Sequence, residues 1–322
     1  METTITGTNA LTYPHLHVWG WEVVIYLFLG GLAAGLLVMS AIANFSMRKP
    51  EEKDQAFCFK GPFFACLILV IGVFFIWLDL GRKFNFFWLY LSFEPLSPMS
   101  WGSWALAITI PISGLYGLSA VPDTYKGWLK FDILKKVSAK LNPFVRKLAV
   151  MNFGLGIFIG IYTGVLLSAF VARPLWNSSI LPVLFLNSAL STGAALAIIM
   201  AKRTSVKLYF TKIDIWLIFS EIVIILLFFY GHYASAAAQR KSIIPFFSFN
   251  GDHILYGTAI LMVAILLPLA LVIEMFDVKD DIVHDLTKKQ ISRMKVSAAM
   301  VLAGGFIIRL AIVYAGQLSG LS

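Results

Sequence analysis

The segment VVIYLFLGGLAAGLLVMSAIANF, residues 23–45, decides the fold class of this protein. None of its side chains is charged, and about 20 consecutive apolar residues allow an α-helix to cross the hydrocarbon core of a bilayer. The apolar residues run continuously and do not alternate with polar ones, which favours a helix over a strand of a membrane β-barrel. The segment therefore predicts a transmembrane helix.

The composition of the whole protein agrees with this prediction. Of its 322 residues, 59% are apolar and only 13% are charged, whereas an ordinary soluble domain has about 25% charged residues. The mean hydropathy is +0.82. These values exclude a soluble enzyme, a disordered chain and a nucleic-acid-binding domain, and they favour a polytopic membrane protein.

Stretches of the same apolar character recur along the sequence and predict eight transmembrane helices. The predicted spans are residues 19–46, 57–79, 102–121, 146–172, 179–201, 213–234, 252–276 and 294–318. Most connections are short, so helices that are neighbours in sequence should pack antiparallel. We predict an all-α integral membrane protein with one polytopic domain over residues 1–322.

The distribution of basic residues predicts how the spans are oriented. Of the 26 Lys and Arg residues, 20 fall in the loops after spans one, three, five and seven, and five fall on the opposite side. The remaining one, Arg309, lies inside the eighth span. Because Lys and Arg collect in cytoplasmic loops, both termini should lie outside the cytoplasm.

Polar side chains inside the spans are candidates for function, because they are costly in a bilayer. Most of them fall near the outer ends of the spans, whereas Glu221 lies about 12 Å in from the predicted start of span six. Each also has a structural interpretation, such as an ion pair that holds Arg309 in the bundle. The candidates are Glu22, Tyr26, Asp79, Tyr162, Glu221, His232 and Arg309.

The histidines and cysteines predict a protein without haem or metal. A bis-histidine haem needs two facing His inside the membrane, but only His232 lies within a predicted span, with His253 at the edge of another. The two cysteines, Cys58 and Cys66, are too few for an iron–sulfur cluster or a structural zinc site. Because only one His lies within a predicted span, a stack of haems across the bilayer is excluded.

Several short motifs near the outer ends of the spans are more specific. They are Asp79-Leu80-Gly81-Arg82, the string SPMSWG at residues 97–102, and the string RPLWN at residues 173–177. Span one adds YLFLGGLAAG at residues 26–35, and span eight adds Gly304-Gly305-Phe306. In this order, and over nearly the whole sequence, they resemble the NrfD/PsrC family of integral membrane subunits.

The resemblance implies a fold of two four-helix bundles in the bacterial inner membrane. It also implies a quinol dehydrogenase or quinone reductase subunit that acts only as part of a complex. Such subunits exchange electrons between membrane quinone and a periplasmic iron–sulfur subunit of the four-cluster type, which serves a molybdopterin or multihaem catalytic subunit. The association favours menaquinone over ubiquinone, and the quinone site is expected near the periplasmic face.

The resemblance also assigns individual residues. Tyr162 matches a tyrosine that contacts the quinone in the polysulfide-reductase type, and Asp79 matches an acidic residue of the second helix. The first helix of that type carries an Asn and a His, and the matching positions here are Val23 and Tyr26, so this part of the pattern is missing. Four residues near the start of the first span are candidate replacements: Tyr26, Glu22, His17 and His15.

Quinol oxidation releases two protons, so a site needs a proton acceptor and donors for the ring oxygens. We expect Asp79 to accept the proton, Tyr162 to donate to a ring oxygen, and Arg82 or Arg173 to stabilise negative charge. Arg173 has the alternative role of contacting the iron–sulfur partner. Two tryptophans of the outer aromatic belt are candidates to flank the ring: Trp101 and Trp176.

A proton path from the cytoplasm is a further hypothesis, with Glu221, Arg309, Asn187, Asp214 and Ser188 as its residues. Without such a path, quinol oxidation at the outer face is electroneutral. Two alternatives stay open at this point, an ion or proton-coupled transporter and a purely structural anchor. A transporter needs access from both sides, and an anchor does not need the carboxylate of the second helix or the tyrosine at position 162.

Overall fold

Long α-helices make up most of the protein that the computed structural model describes, which is residues 19–46, 55–91, 93–122, 127, 131–248, 254–279 and 288–318. No strand occurs within these ranges. The helices are α1 (Trp21–Ser46), α2 (Gln55–Asp79), α3 (Trp88–Leu91), α4 (Pro98–Ser119), α5 (Asp132–Leu141), α6 (Val145–Ser168), α7 (Ile180–Met200), α8 (Thr204–Ala234), α9 (Ala237–Ser242), α10 (Ile244–Phe247), α11 (Ile254–Lys279) and α12 (Lys288–Leu318).

Seven helices of the described ranges are long and apolar enough to cross a membrane. They belong to α1, α2, α6, α7, α8, α11 and α12. The remaining predicted span is also helical, as the 22-residue α4, but four serines and three glycines make it less apolar. The protein is thus an all-helical membrane protein in its described part, and the count of eight stays a prediction.

Several helices extend beyond the predicted apolar spans. Helix α8 begins at Thr204 and not at residue 213, and α12 begins at Lys288 and not at residue 294. Both extensions carry lysines, which have good helix propensity. Lys212 on α8 and Lys288 and Lys289 on α12 are exposed, whereas Lys207 is buried and donates to the Ile198 carbonyl. Hydropathy locates the apolar part of such a helix but not its end. Measured from Thr204, Glu221 lies about 25 Å along α8 and not 12 Å.

The long helices fall into two groups of four. Helices α1, α2, α4 and α6 pack against one another, and α7, α8, α11 and α12 form the second group. Contacts of α1 and α6 with α7 join the groups. At the α1–α7 crossing a Cβ on Gly193 would collide with the backbone of Gly35, so two glycines allow the helix backbones to touch.

Candidate functional site

A cavity of about 270 Å³ lies within the first group of helices, at the end where α1 and α4 begin and α2 and α6 end. Its walls are mostly apolar, with a few polar groups among them. This is the usual character of a site for a small organic molecule. The lining residues are Trp19, Val23, Tyr26, Val73, Ile76, Asp79, Leu80, Tyr90, Met99, Ser103, Leu106, Tyr162 and Leu166.

Two tyrosines provide the buried polar groups of the cavity. Tyr26 is 3% exposed and Tyr162 is 6% exposed, and their side chains lie within hydrogen-bonding reach of each other. Asp79, the last residue of α2, is half-buried on the same lining. The cavity thus combines phenol hydroxyl donors with a carboxylate that could exchange protons.

Gly102 fixes the position of the Tyr162 ring. A Cβ built on Gly102 would overlap the phenol ring of Tyr162, including its hydroxyl. Only a glycine at this position lets α4 pass so close to the ring on α6. The glycine of the SPMSWG motif therefore acts on the site through Tyr162, since Gly102 itself does not line the cavity.

Trp19 forms an aromatic wall of the cavity, and residues behind it hold it in place. Its ring stacks on Trp176 with the centroids 5.3 Å apart, and Trp176 Nε1 donates to the Ile312 carbonyl at 2.9 Å. Gln317 Nε2 donates to the Trp19 carbonyl at 3.1 Å, and Arg173 donates to the Gln317 carbonyl. The RPLWN motif thus ties the end of α12 to the cavity wall.

The structure brings together only some of the candidate quinone-site residues. Asp79, Tyr162 and Tyr26 line one cavity, whereas Arg173 and Trp176 lie behind Trp19. The other three described candidates are not on the lining: Arg82 is exposed, Trp101 is 44% exposed, and Glu22 is partly exposed beside Gly20. His15 and His17 lie outside the described residues.

Sequence reasoning missed several lining residues. Met99 and Ser103 stand in or beside the SPMSWG motif, which was a signal available for them. Tyr90 had no such signal, because it reaches the lining from a short segment after α2 that hydropathy does not describe. Trp19 had only its place among the tryptophans near the outer ends of the spans as a signal.

A second polar cluster surrounds Arg309 in the other group of helices. The side chain is fully buried, and its Nη1 donates to Ser188 Oγ at 3.0 Å and to the Gly305 carbonyl at 2.7 Å. Glu221 on α8 interacts electrostatically with Arg309 and lies within hydrogen-bonding reach of Ser188. On its other side Arg309 abuts Gly31, where a Cβ would press on the guanidinium.

Asn187 on α7 lies in the same region, and its side chain forms two hydrogen bonds with α8. Its Nδ2 donates to the Leu217 carbonyl at 2.9 Å, and its Oδ1 accepts a hydrogen bond from Ser220 at 2.7 Å. These bonds join α7 to α8 one turn from Glu221. The amide therefore lies beside the Glu221–Arg309 pair.

A pair of buried acids lies nearer the start of α8, and the sequence analysis missed one of its members, Glu274. Ser191 Oγ donates to Asp214 at 2.7 Å, and Ser297 Oγ donates to Glu274 at 2.9 Å. Asp214 and Glu274 interact with each other, and both are fully buried. Since Asp214 and Glu221 are seven residues apart, the two clusters lie about 10 Å apart on one side of α8.

Comparison with known proteins decides the family. The family model described as "Polysulphide reductase, NrfD" matches residues 9–319. The protein belongs to the NrfD family. This confirms the resemblance inferred from the motifs.

The NrfD relatives cover most of the sequence. A polysulfide reductase subunit of Wolinella succinogenes is 27% identical over 93% of this protein and 94% of its own length. The NrfD protein of Escherichia coli is 32% identical over 70% of this protein and 75% of its own length. An NrfD homologue of Haemophilus influenzae is 28% identical over 95% of this protein and 96% of its own length. The molecule is thus a multi-pass membrane protein of a family with reductase-complex subunits.

Within the described ranges, no group of three or more His, Cys, Asp and Glu side chains could hold a metal ion. The buried His232 is engaged by backbone, since its Nδ1 lies 2.8 Å from the Phe228 carbonyl and its Nε2 lies 3.1 Å from the Leu175 carbonyl. These contacts tie α8 to the RPLWN segment, as the structural interpretation of this histidine predicts.

Proposed function

We propose that this NrfD protein exchanges electrons between membrane quinone, favoured to be menaquinone, and an iron–sulfur subunit of a respiratory reductase complex. The single observation that carries the proposal is the cavity, in which Tyr26, Tyr162 and Asp79 meet among apolar walls. The proposed partners are a periplasmic four-cluster-type iron–sulfur subunit and a molybdopterin or multihaem catalytic subunit. The direct test is quinol-dependent reduction of the iron–sulfur subunit in the purified complex.

The proposed topology has eight membrane-crossing helices, with α4 as the eighth and both termini on the periplasmic side of the bacterial inner membrane. The 20-to-5 distribution of Lys and Arg supports it. Helix α4 has 22 residues, about 33 Å at 1.5 Å per residue, which is long enough to cross. In this orientation the cavity lies at the periplasmic end of the bundle.

The residues of the cavity fit a quinone ring in three respects. The walls are apolar, Trp19 presents an aromatic surface, and two phenol hydroxyls can donate to ring oxygens. A bound quinol supplies two electrons and two protons. We assign Tyr162 and Tyr26 to hold the ring oxygens, and Asp79 to accept the two protons in turn and pass each to water, because it is only half-buried at the end of α2.

The remaining candidates have supporting roles in this proposal. Arg173 and Trp176 hold Trp19 and do not touch the ring. Arg82, three residues after Asp79, is proposed to stabilise negative charge when the partner covers this face. Glu22 stays a candidate contact at the start of α1, and Trp101 stays a candidate contact of the quinone tail. His17 stays a candidate in the segment before α1.

The proposed docking surface of the iron–sulfur subunit is formed by residues 84–91 and 93–96, between α2 and α4. Aromatic and aliphatic side chains of this segment are unusually exposed, and Tyr90 in its middle lines the cavity. A partner there would cover apolar surface and reach the cavity wall. The most exposed side chains are Phe84 at 87%, Leu96 at 95%, Leu91 at 70% and Trp88 at 58%.

Gly102→Ala is expected to lower quinol-dependent electron transfer about tenfold to 100-fold, because an added methyl group displaces the Tyr162 ring by a fraction of an ångström or more. The matched control is Gly114→Ala on the same helix, where the nearest atom to a new Cβ is Cys66 Sγ at 3.8 Å. Steady-state rates of the assembled complex measure both variants. Equal rates for Gly102→Ala and Gly114→Ala would contradict this role of Gly102.

We further propose that Glu221 and Arg309, with Asn187 beside them, belong to a proton path through the second group of helices. The path is supported by the polar side chains on one side of α8. In vesicles that hold the complex with its cytoplasmic face inward and a pH-sensitive dye inside, wild type should make the interior more alkaline during quinol oxidation, because the path takes up protons from that side. Glu221→Gln should abolish this internal change while keeping more than half of the electron-transfer rate. A wild type that releases only the quinol protons outside, with no change inside, would end this proposal.

A further inference from the structure

Helix α5 places basic and apolar side chains together at one end of the helix bundle. Phe131 and Ile133 are 68% and 74% exposed, and Lys136 and Lys140 are exposed one helical turn apart. Leu134 and Leu141 of the same region are half-buried. The helix therefore has one side toward the protein and a mixed basic and apolar side that no described part of the protein covers.

Hydrogen bonds fix α5 to the end of α4. Ser138 Oγ donates to the Leu118 carbonyl at 2.8 Å, and Asn142 Nδ2 donates to the Ser119 carbonyl at 3.3 Å. These carbonyls belong to the last turn of α4, where the regular pattern of intrahelical hydrogen bonds ends. Because α5 is held in this way, its exposed side chains keep a defined position relative to the bundle.

The exposed apolar side chains of α5 continue onto the surface of α6. Phe144 precedes α6 and is 47% exposed, and Val150 and Met151, in the second turn of α6, are 56% and 48% exposed. The candidate membrane span that contains α6 runs over Asp132–Ser168, and α5, which carries three lysines, forms the polar beginning of that stretch. Helix α5 therefore lies where the apolar surface of the bundle meets the basic loop, which is the position of an interfacial amphipathic helix.

Basic groups surround this position. Arg146 and Lys147 at the start of α6 add further basic side chains next to those of α5. Lys135 is already paired with Asp132 at 3.0 Å. The excess charge of the described residues here is therefore positive, and positive groups of this kind attract the phosphates of anionic lipids.

We propose that α5 binds anionic phospholipid, with Lys136 and Lys140 on the phosphate and with Phe131 and Ile133 among the upper acyl carbons. Charge complementarity selects an anionic headgroup over a zwitterionic one. The adjoining exposed apolar side chains favour a lipid over a soluble acidic protein, which would leave them in water. The site does not depend on the proposed quinone chemistry.

The test compares the thermal stability of the purified, detergent-solubilised complex after addition of phosphatidylglycerol or of phosphatidylcholine with the same acyl chains. We expect phosphatidylglycerol to raise Tm by about 3 °C more than phosphatidylcholine, and high salt to remove the difference. The double variant Lys136→Gln with Lys140→Gln should lose it. Lys136→Arg with Lys140→Arg should keep it.

The control is Arg240→Gln with Lys241→Gln, which removes two exposed charges from the opposite end of the bundle and should keep the difference between the lipids. Two results would overturn the proposal. One is equal stabilisation by both lipids in wild type. The other is an unchanged phosphatidylglycerol effect in the double glutamine variant, which would move anionic lipid binding to another surface.

Discussion

Tyr162→Phe is expected to lower quinol-dependent reduction of the iron–sulfur subunit about 100-fold, with the complex still assembled. The substitution removes one hydroxyl and keeps the ring that packs against Gly102. A buried donor aimed at an oxygen that gains negative charge during reaction contributes on the order of 10²–10³ in rate. Loss of the donor also leaves Tyr26 without its neighbouring hydroxyl.

A matched control for this variant is Tyr116→Phe. Tyr116 is an equally buried phenol on α4, and it donates to the Ser40 carbonyl at 3.0 Å, away from the cavity. The same hydroxyl accepts a hydrogen bond from Asn44 Nδ2 at 3.1 Å. Its loss should reduce stability by about 1 kcal/mol for each of the two hydrogen bonds and leave the rate within about twofold of wild type. If both phenylalanine variants lost activity equally, a general effect on the fold would replace the proposed role of Tyr162.

Asp79→Asn is expected to lower the rate of quinol oxidation, because it removes the proposed proton acceptor. An amide of the same shape cannot accept the quinol proton, and removal of a general base typically costs about 10²–10⁴ in rate. Rates at saturating quinol should fall while binding of a quinone-site inhibitor persists. A variant with wild-type rates would contradict the role of Asp79 as proton acceptor, and unchanged rates in both Asp79→Asn and Tyr162→Phe would favour the structural anchor or another site.

Gly193→Ala is expected to have the largest effect on assembly. Its Cβ would overlap the backbone of Gly35 at the crossing of α1 and α7, and backbone cannot move aside as a flexible side chain does. Overpacking of this kind costs about 3 kcal/mol or more, which corresponds to a fall in Tm of about 6–12 °C. Thermal unfolding of the purified complex measures the change.

The control for the crossing is Gly154→Ala on α6, where nothing lies within 4 Å of a new Cβ. Its Tm should stay at the wild-type value or rise slightly, because alanine favours the helix. A Gly193→Ala protein as stable as Gly154→Ala would mean that the two helix groups are not held together at this crossing.

The helices themselves could be predicted from the sequence, because in a bilayer each apolar run must form its backbone hydrogen bonds within its own segment. Their ends were not, since α8 and α12 continue beyond their apolar runs through polar residues that have good helix propensity. The close α1–α7 crossing was also hidden. Small residues on the first span indicate packing, but the partner helix is selected by three-dimensional contact.

Residues of the candidate site could be predicted from the sequence where they belong to a motif. Asp79 and Tyr162 were selected from separate segments, and they line one cavity. Arg173 and Trp176 were expected at the ring and lie one layer behind it, because a motif marks residues without showing whether they touch a ligand or a neighbour. Glu274 escaped notice because a single acid near a helix end looks solvated until its position beside the buried acid of α8 is known.

Photolabelling with an azido-quinone analogue tests the central claim most directly. The complex is illuminated with the label, and the modified peptides are identified by mass spectrometry. We predict labelling at the start of α1, the end of α2 or the start of α4, protected by excess quinol. The protein has a second apolar pocket between α8 and α11, lined by Ile222, Ile225, Leu226, Ile260, Val263, Ala264, Leu267 and Pro268. Protectable labelling there, with none at the Tyr162 cavity, would contradict the account.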